Sequence, residues 1–280
     1  MMNLQEVFET LCAASEYDEM PVRHNEEILN AELAMQVMEA GGWQLDTSES
    51  EDPHFKVNVL FQAHLSRLAL PISDYVLDTK SALDQSIRIL QAMIDVATQE
   101  GWITPALNCI LLLQMLSQGL RQTQPAVACL PHMGKKVAAR LAKSNVDSLP
   151  KLLECLRSDS GLSLIKKCGL HHRKAVAAAN ICSSLPVVKM EIAPLEENTS
   201  TNELVVSVKV HKKNFKRNAN AYAPRFPKVK REGWYVIAGN REANEIYALK
   251  RISFQDKAHL TTKLKFSKKD KSSVKLFLLS

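Results

Sequence analysis

The chain has 280 residues, 46% hydrophobic and 24% charged, a balance that supplies more than one apolar core and excludes a wholly disordered protein. No apolar run reaches the roughly 18 residues that cross a bilayer, and the opening MMNLQEVFETLCAASEYDE lacks both the basic start and the hydrophobic centre of a secretory leader. The net charge of +6 conceals a division: residues 1–120 hold 5 Lys+Arg against 18 Asp+Glu, whereas residues 121–280 hold 31 against 12, a basic surface that attracts phosphate backbones, keeps a β domain soluble or docks on the acidic half.

In chain order, the first region, residues 1–120, is expected to be a helical bundle. It opens with a segment at Leu4–Cys12, followed after Pro21 by a helix whose apolar face carries Ile28, Leu29, Leu33 and Val37. Asn25 is placed to cap that helix, Glu26 and Glu27 favour its positive end, and Arg23 is placed to pair with one of them. The loop GGWQLDTSESEDP, residues 41–53, reads as a mobile connection before a helix over Val57–Leu68. On that helix Gln62, His64 and Arg67 form a polar stripe that faces solvent, a neighbouring helix or a channel. Next comes a long helix of roughly 20 residues, with Leu83, Ile87, Leu90, Ile94 and Ala97 as its apolar stripe. Asp78, Thr79 or Ser81 begins it and Gly101 suits the left-handed residue that ends it. Thr104-Pro105 then opens a further helix that runs toward Gly119.

Residues 121–185 change to short helices with apolar positions at Val137 and Leu141, Leu149, Leu152, Leu153 and Leu156, then Val176 and Ile181. The pattern predicts a small helix-loop-helix domain with 11 Lys+Arg against 3 Asp+Glu. After Pro186 the period switches to two. Leu204, Val206, Val208 and Val210 alternate with polar residues, as do Leu260, Thr262, Leu264 and Phe266, and Trp234–Ala238, Ile246–Ile252 and Val274–Leu279 complete a set of short strands. Residues 186–280 thus read as an antiparallel, immunoglobulin-like or fibronectin-like β-sandwich, and the whole chain as an α+β multidomain protein.

The sequence contains no G-x-x-x-x-G-K-[ST] phosphate loop, no H-E-x-x-H and no Cys/His spacing suited to a metal, so no catalytic residue, metal or cofactor is expected. The six cysteines lack a C-x-x-C pair and sit among apolar residues, as buried reduced thiols of the nucleus or cytoplasm do.

Four blocks in order, PVRHNEEILNAELA (residues 21–34), DPHFKVNVLFQAHLSRLALPISDY (52–75), DTKSALDQSIRILQAMIDVATQEGW (78–102) and APRFPKVKREGWYVIAG (223–239), resemble the Brl module. This module follows the motor domains of Ski-like superfamily-two helicases and also occurs in an endoplasmic-reticulum translocation factor. The wording of PISDY, LDQSIRILQAMIDV and PRFPKVK is nearest the activating-signal-cointegrator branch, in its plant form. The resemblance implies a helical bundle, a helix-loop-helix domain and an immunoglobulin-like domain. It implies further that the long helix is similar to the ratchet helix along which single-stranded RNA or DNA is drawn. Gln85, Arg88, Gln91, Met93 and Asp95 would then lie along the strand, Arg88 on phosphate and Gln91 or Met93 near bases, with core packing the plainer role for Met93. Arg23, His24, Arg67, Arg225 and Lys228 would dock motor domains or complex subunits. No membrane and no small-molecule substrate are implied. A protein-interaction scaffold without nucleic-acid contact is the alternative. Because the chain lacks the family's usual opening helices, motor domains and last strand, it reads as a piece of a helicase cassette. Apolar faces of the Val57–Leu68 and Ser81–Glu100 helices are therefore expected to be uncovered.

Overall fold

The computed structural model describes residues 2–158, 160–193, 196–198, 203–214, 220–254, 257–267 and 274–280. Contacts divide the chain into two compact units, one of residues 1–118 with 188–280 and one of residues 119–187. The fold is α+β.

The helices of the first unit are α1 (Leu4–Cys12), α2 (Glu26–Glu39), α3 (Pro53–Ser66), α4 (Ser73–Gln99) and α5 (Ile103–Gln118). The start of α1 is a capping box, in which the Asn3 side chain accepts from the Glu6 amide and Glu6 reaches back to the Asn3 amide. Val7, Phe8, Leu11, Val57, Phe61, Leu65, Leu83, Leu90 and Ile94 meet in one core. The faces of α3 and α4 expected to be uncovered are therefore buried, each of Val57, Phe61, Leu65, Leu90 and Ile94 being 0% exposed.

Other expectations change at the helix starts. Asn25 does not cap α2: it adopts a left-handed conformation with φ of 64° and makes no side-chain cap bond. The carboxylate of Glu26 instead accepts from the backbone amide of Arg23 at 2.9 Å. Ile28, expected on the core face of α2, is 57% exposed. The 41–53 segment contains a short 3₁₀ turn at Thr47–Glu49, is tied to α2 by Asn30 Nδ2 donating to the Ser50 carbonyl at 2.8 Å, and ends in Asp52, which caps α3 through the His54 and Phe55 amides. Helix α4 has 27 residues and starts at Ser73, well before Asp78. Asp78 is not a cap at all; its buried carboxylate belongs to an ionic cluster. Gly101 follows the end of α4 with φ of 77°, as its position predicts.

The same unit contains β1 (Val188–Ile192), β2 (Glu196–Asn198), β3 (Glu203–Lys212), β4 (Trp234–Asn240), β5 (Glu245–Ile252), β6 (His259–Ser267) and β7 (Lys275–Leu279). All pairings are antiparallel. In one sheet β1, β2 and β6 pair with β3; in the other the order is β5-β4-β7. Leu204, Val206, Val208, Val210, Leu264 and Phe266 from the first face Trp234, Val236 and Ala238 from the second across a shared core. In β3 and β6 the alternation read from the sequence is the alternation observed. In β5, expected to alternate Ile246, Ala248, Lys250 and Ile252 against Tyr247, Leu249 and Arg251, it fails: Ile246 and Leu249 pack on the helical core, Tyr247, Ala248 and Ile252 on the sheet core, and Lys250 and Arg251 are both exposed. Strand β4 departs from it, because Tyr235 and Ile237 on its other face enter the helical core while Trp234, Val236 and Ala238 enter the sheet core. A strand buried on both faces reads as a continuous apolar run, and WYVIAG is one.

The helical end and the sheet are stitched by backbone. The Ile246 amide donates to the Gly101 carbonyl at 2.8 Å, the Ile103 amide to the Asn244 carbonyl at 3.4 Å, and the Thr104 amide to Asn244 Oδ1 at 3.0 Å. At the β-bulge between Ala238 and Gly239, a Cβ on Gly239 would lie 2.5 Å from the Glu245 carbonyl oxygen and 2.7 Å from Ile103 Cδ1, so only glycine fits there.

The second unit comprises α6 (Lys135–Lys143), α7 (Leu149–Cys155), α8 (Ser160–Lys167) and α9 (His172–Ser184) around a core of Leu141, Leu152, Ile165, Leu170, Ala175 and Ala178. The sequence pattern predicted three helices here and missed α8, whose eight residues offer too few apolar positions to show a period.

Candidate nucleic-acid interface

Ten buried residues, among them Leu83, Ser86, Leu90 and Ile94, press α4 against the bundle, which leaves Leu77, Ser81, Arg88, Ala92, Asp95 and Gln99 exposed along one face. From Ser81 to Gln99 that stripe runs about 27 Å. Arg88 stands near its middle, its side chain 70% exposed and its guanidinium 3.2 Å from Glu16. Gln85 and Gln91 flank the stripe and are half-buried. Met93 does not share the face: it lies about 140° round the helix from Arg88 and packs against the bundle core. Its plainer role is the one the structure gives it.

The strand-forming segment borders this stripe with cations. Lys228 reaches Asp84 at 2.5 Å. Arg251 donates to Asp95 at 2.7 Å and to the Gln91 carbonyl at 2.9 Å while its guanidinium covers the Tyr235 ring at 5.6 Å. Asp84 and Asp95 are eleven residues apart, so the two contacts lie about 16 Å from each other along α4. Acidic α4 is thereby matched by a cation of β5 and one of the connection between β3 and β4 in the same unit.

The residues expected to dock partners are scattered. Arg23 belongs to a buried cluster: Lys56, with no side-chain exposure, donates to Glu26 at 2.6 Å, to Asp78 at 2.8 Å and to the Pro21 carbonyl at 2.5 Å, and Arg23 bonds the same two carboxylates. Lys56 also lies 4.8 Å from the centre of the Tyr75 ring, whose hydroxyl donates to Asn30 Oδ1. Burial pushes the carboxyls of Glu26 and Asp78 up, but hydrogen bonds from Lys56 and Arg23 outweigh it and hold both below the ordinary carboxylate range. This cluster joins α2, α3 and α4. His24 is exposed in the turn before α2. Arg67 ends α3 with φ of 58° and, like exposed Arg225, acts on His64, whose Nε2 bonds the Leu116 carbonyl at 2.8 Å. Gln62 is fully buried and accepts from the Trp43 amide at 2.7 Å, so the polar stripe of α3 serves neighbouring chain rather than solvent. Lys271, in the basic cluster near the C-terminus, lies outside the described residues.

Sequence reading missed the lysine of the buried cluster. Lys56 stands within the apolar run FKVNVLF, and a cation on the buried face of a helix was the available signal. Nor did sequence reveal Arg251, which an alternating strand gives no reason to single out. The cysteines are free; Cys12, Cys109, Cys168 and Cys182 are buried, and burial pushes the Cys109 thiol up to about 12 and the Cys182 thiol to about 11.

The helical bundle is stitched to paired β-sheets, a separate unit of short helices lies between them in sequence, and residues 1–280 match the Sec63 Brl domain. The chain belongs to that family. It is 38% identical over 255 residues to the DExH-box ATP-dependent RNA helicase DExH14 of Arabidopsis thaliana, covering 90% of this chain and 11% of that protein. Identity is 33% over 306 residues with human activating signal cointegrator 1 complex subunit 3, with 92% of this chain and 14% of the relative covered. With the human U5 small nuclear ribonucleoprotein 200 kDa helicase it is 30% over 254 residues, 90% of this chain and 11% of the relative. The chain thus spans about a tenth to a seventh of the length of these relatives. Among the described residues no helix is long and apolar enough to cross a membrane.

Proposed function

We propose that this Brl module guides a single strand of RNA or DNA along the exposed stripe of α4 and docks motor domains or further subunits of a helicase assembly in the nucleus or cytoplasm. The observation that carries the reading is the exposed Arg88 at mid-helix, with the neighbouring carboxylates Asp84 and Asp95 already neutralised by Lys228 and Arg251. Phosphate would otherwise be repelled there. Arg88 offers forked donors to phosphate oxygens, and the amides of Gln85 and Gln91 offer donors and acceptors to bases. Asp95 orients Arg251 rather than touching the strand itself. The name of the Arabidopsis relative, an RNA helicase, favours RNA. Docking rests on a different face: Ile28 and Met35, seven residues apart on α2, are 57% and 51% exposed and form an apolar strip of the kind a partner covers. ATP turnover belongs to the motor domains of such an assembly, and this module supplies positioning alone.

Binding of labelled single-stranded RNA by the full chain tests the reading. A hydrogen bond to a charged group is worth about 1.5–3 kcal/mol, so Arg88→Ala is expected to weaken binding about tenfold or more and to lower the salt slope by about 0.7. Unchanged affinity in that variant would leave a protein-interaction scaffold as the better description.

A further inference from the structure

The four-stranded sheet has a second face, turned away from the sandwich core, that the stripe on α4 does not use. Register defines its members. Lys209 stands opposite Thr261, Ser207 opposite Lys263, Val205 opposite Lys265 and His211 opposite His259, while on the other side of β3 Lys189 pairs with His211 and Glu191 with Lys209. The intervening residues Leu204, Val206, Val208, Val210, Leu264 and Phe266 are buried, which sends every residue of the first set outward. The outward face therefore displays Lys189, Lys209, Lys263 and Lys265, two imidazoles and the hydroxyls of Ser207 and Thr261. Neighbouring positions are about 4.8 Å apart across strands and about 6.6 Å apart along them.

The carboxylate of Glu191 on this face is occupied: Lys189 lies 2.9 Å away and His211 3.5 Å. Lys189, with His211 and Lys209 behind it, holds the Glu191 carboxyl below its usual range. Lys209 stands opposite that carboxylate, which Lys189 already holds, and Lys263 and Lys265 have no salt bridge with a described side chain. This contrasts with the stripe on α4, where Lys228 and Arg251 are both committed to aspartates.

We infer that this outward sheet face is a docking surface for the phosphate backbone of nucleic acid, distinct from the stripe on α4. Its composition selects the partner. Lysine is depleted from the centres of protein–protein interfaces, which rely on aromatic and large apolar anchors, and no such side chain is present among the outward residues. Phe, Tyr and Trp are absent from the outward residues described, and the tilted His211 and His259 rings, 6.1 Å apart, stand together at one end of the β3–β6 pairing, so the lysine field between reads phosphates without regard to base sequence and accepts a duplex as readily as a single strand.

A blunt-ended duplex RNA of mixed sequence separates this face from α4, since paired bases are closed to a guiding helix. The full chain is expected to bind the duplex with a steep salt dependence. Lys209→Glu/Lys263→Glu/Lys265→Glu should weaken that binding at least about tenfold and lower the salt slope by about 0.9 for each phosphate that is no longer neutralised. Arg88→Ala should leave duplex affinity unchanged while weakening single-stranded RNA, so the two surfaces fail separately. The milder Lys209→Gln/Lys263→Gln/Lys265→Gln, with the wild-type thermal melt, should show a smaller loss in the same direction. Wild-type protein that ignores duplex RNA, or triple variants that bind it as tightly as wild type, would overturn the inference. So would tighter binding of poly-glutamate than of duplex RNA, which would make the face a site for acidic protein.

Discussion

Lys56 is a buried cation held by two carboxylates and a carbonyl, and its removal would strand Glu26 and Asp78 without compensation. Breaking such a cluster from one side costs about 3–5 kcal/mol, so Lys56→Ala should lower the unfolding free energy in urea by that amount. A loss below about 1 kcal/mol would mean that water enters the site and replaces the lysine. The carboxyls of Glu26 and Asp78 are held below their ordinary values, so their stabilisation is complete above about pH 4 and lost as pH falls through the folded values. Asp78→Asn should flatten the acid limb of the stability profile. His64 acts in a higher window. Burial lowers its pKa, and Arg225 and Arg67 lower it further against the opposing bond to Leu116. The neutral ring must carry its proton on Nε2, since a carbonyl only accepts. The unfolded chain takes up a proton below about pH 6.5 before the folded chain does, so stability falls as pH drops from there. Urea melts near about pH 7.5 and about pH 5.5 should show a smaller difference for His64→Gln than for wild type.

At the scale of elements, periodicity found what periodicity encodes. The apolar stripe of α4 and the alternation of β3 and β6 are one-faced patterns, and burial follows them, with Ile87 and Leu260 half-buried at the margin. Positions governed by distant partners escaped it. The first turns of α4 were missed because Tyr75, Asp78 and Thr79 interrupt the aliphatic pattern; all three are buried, and Tyr75 bonds α2 while Asp78 bonds α3. The two-sided burial of β4 was visible as the run WYVIAG, but only the fold shows that Ile237 serves the helices and Val236 the sheets. For the candidate site, Arg88 and its flanking glutamines could be named from sequence, whereas its border of Lys228 and Arg251 depends on pairings 144 and 156 residues apart. Ile237→Ala, which opens a cavity at the seam, should cost about 2–5 kcal/mol. Tryptophan fluorescence is the suitable measurement, because Trp43, Trp102 and Trp234 all belong to the unit that contains the seam. A shift confined to the helical signal, with tryptophan emission unmoved, would show that the seam does not couple the two.

Across the whole molecule, the opposed charges of the two halves are partly spent within one unit, where Lys228 and Arg251 neutralise two aspartates of α4. The individual pairs are exposed and contribute little to stability, about 0–1 kcal/mol each. If the proposed strand runs along α4, their value for binding is greater, because each removes a repulsive carboxylate from the path of a phosphate. Lys228→Ala/Arg251→Ala should therefore reduce affinity for single-stranded RNA by a larger factor than the change in stability explains, and added salt should shrink the difference between variant and wild type. Equal RNA affinity in the double variant would remove these pairs from the account. The ends of α4 complete the description. Near its start, Asp78 is gripped by Lys56 and Arg23; beyond its end, the Gly101 carbonyl accepts from the Ile246 amide near the start of β5. A helix gripped at both ends behaves as a clamped beam about 40 Å long, able to bow slightly at mid-span but unable to travel along its own axis. Tension applied by a moving polymer would pass through the clamps into the sheets and the neighbouring helices, leaving the polymer, rather than the beam, as the part that advances.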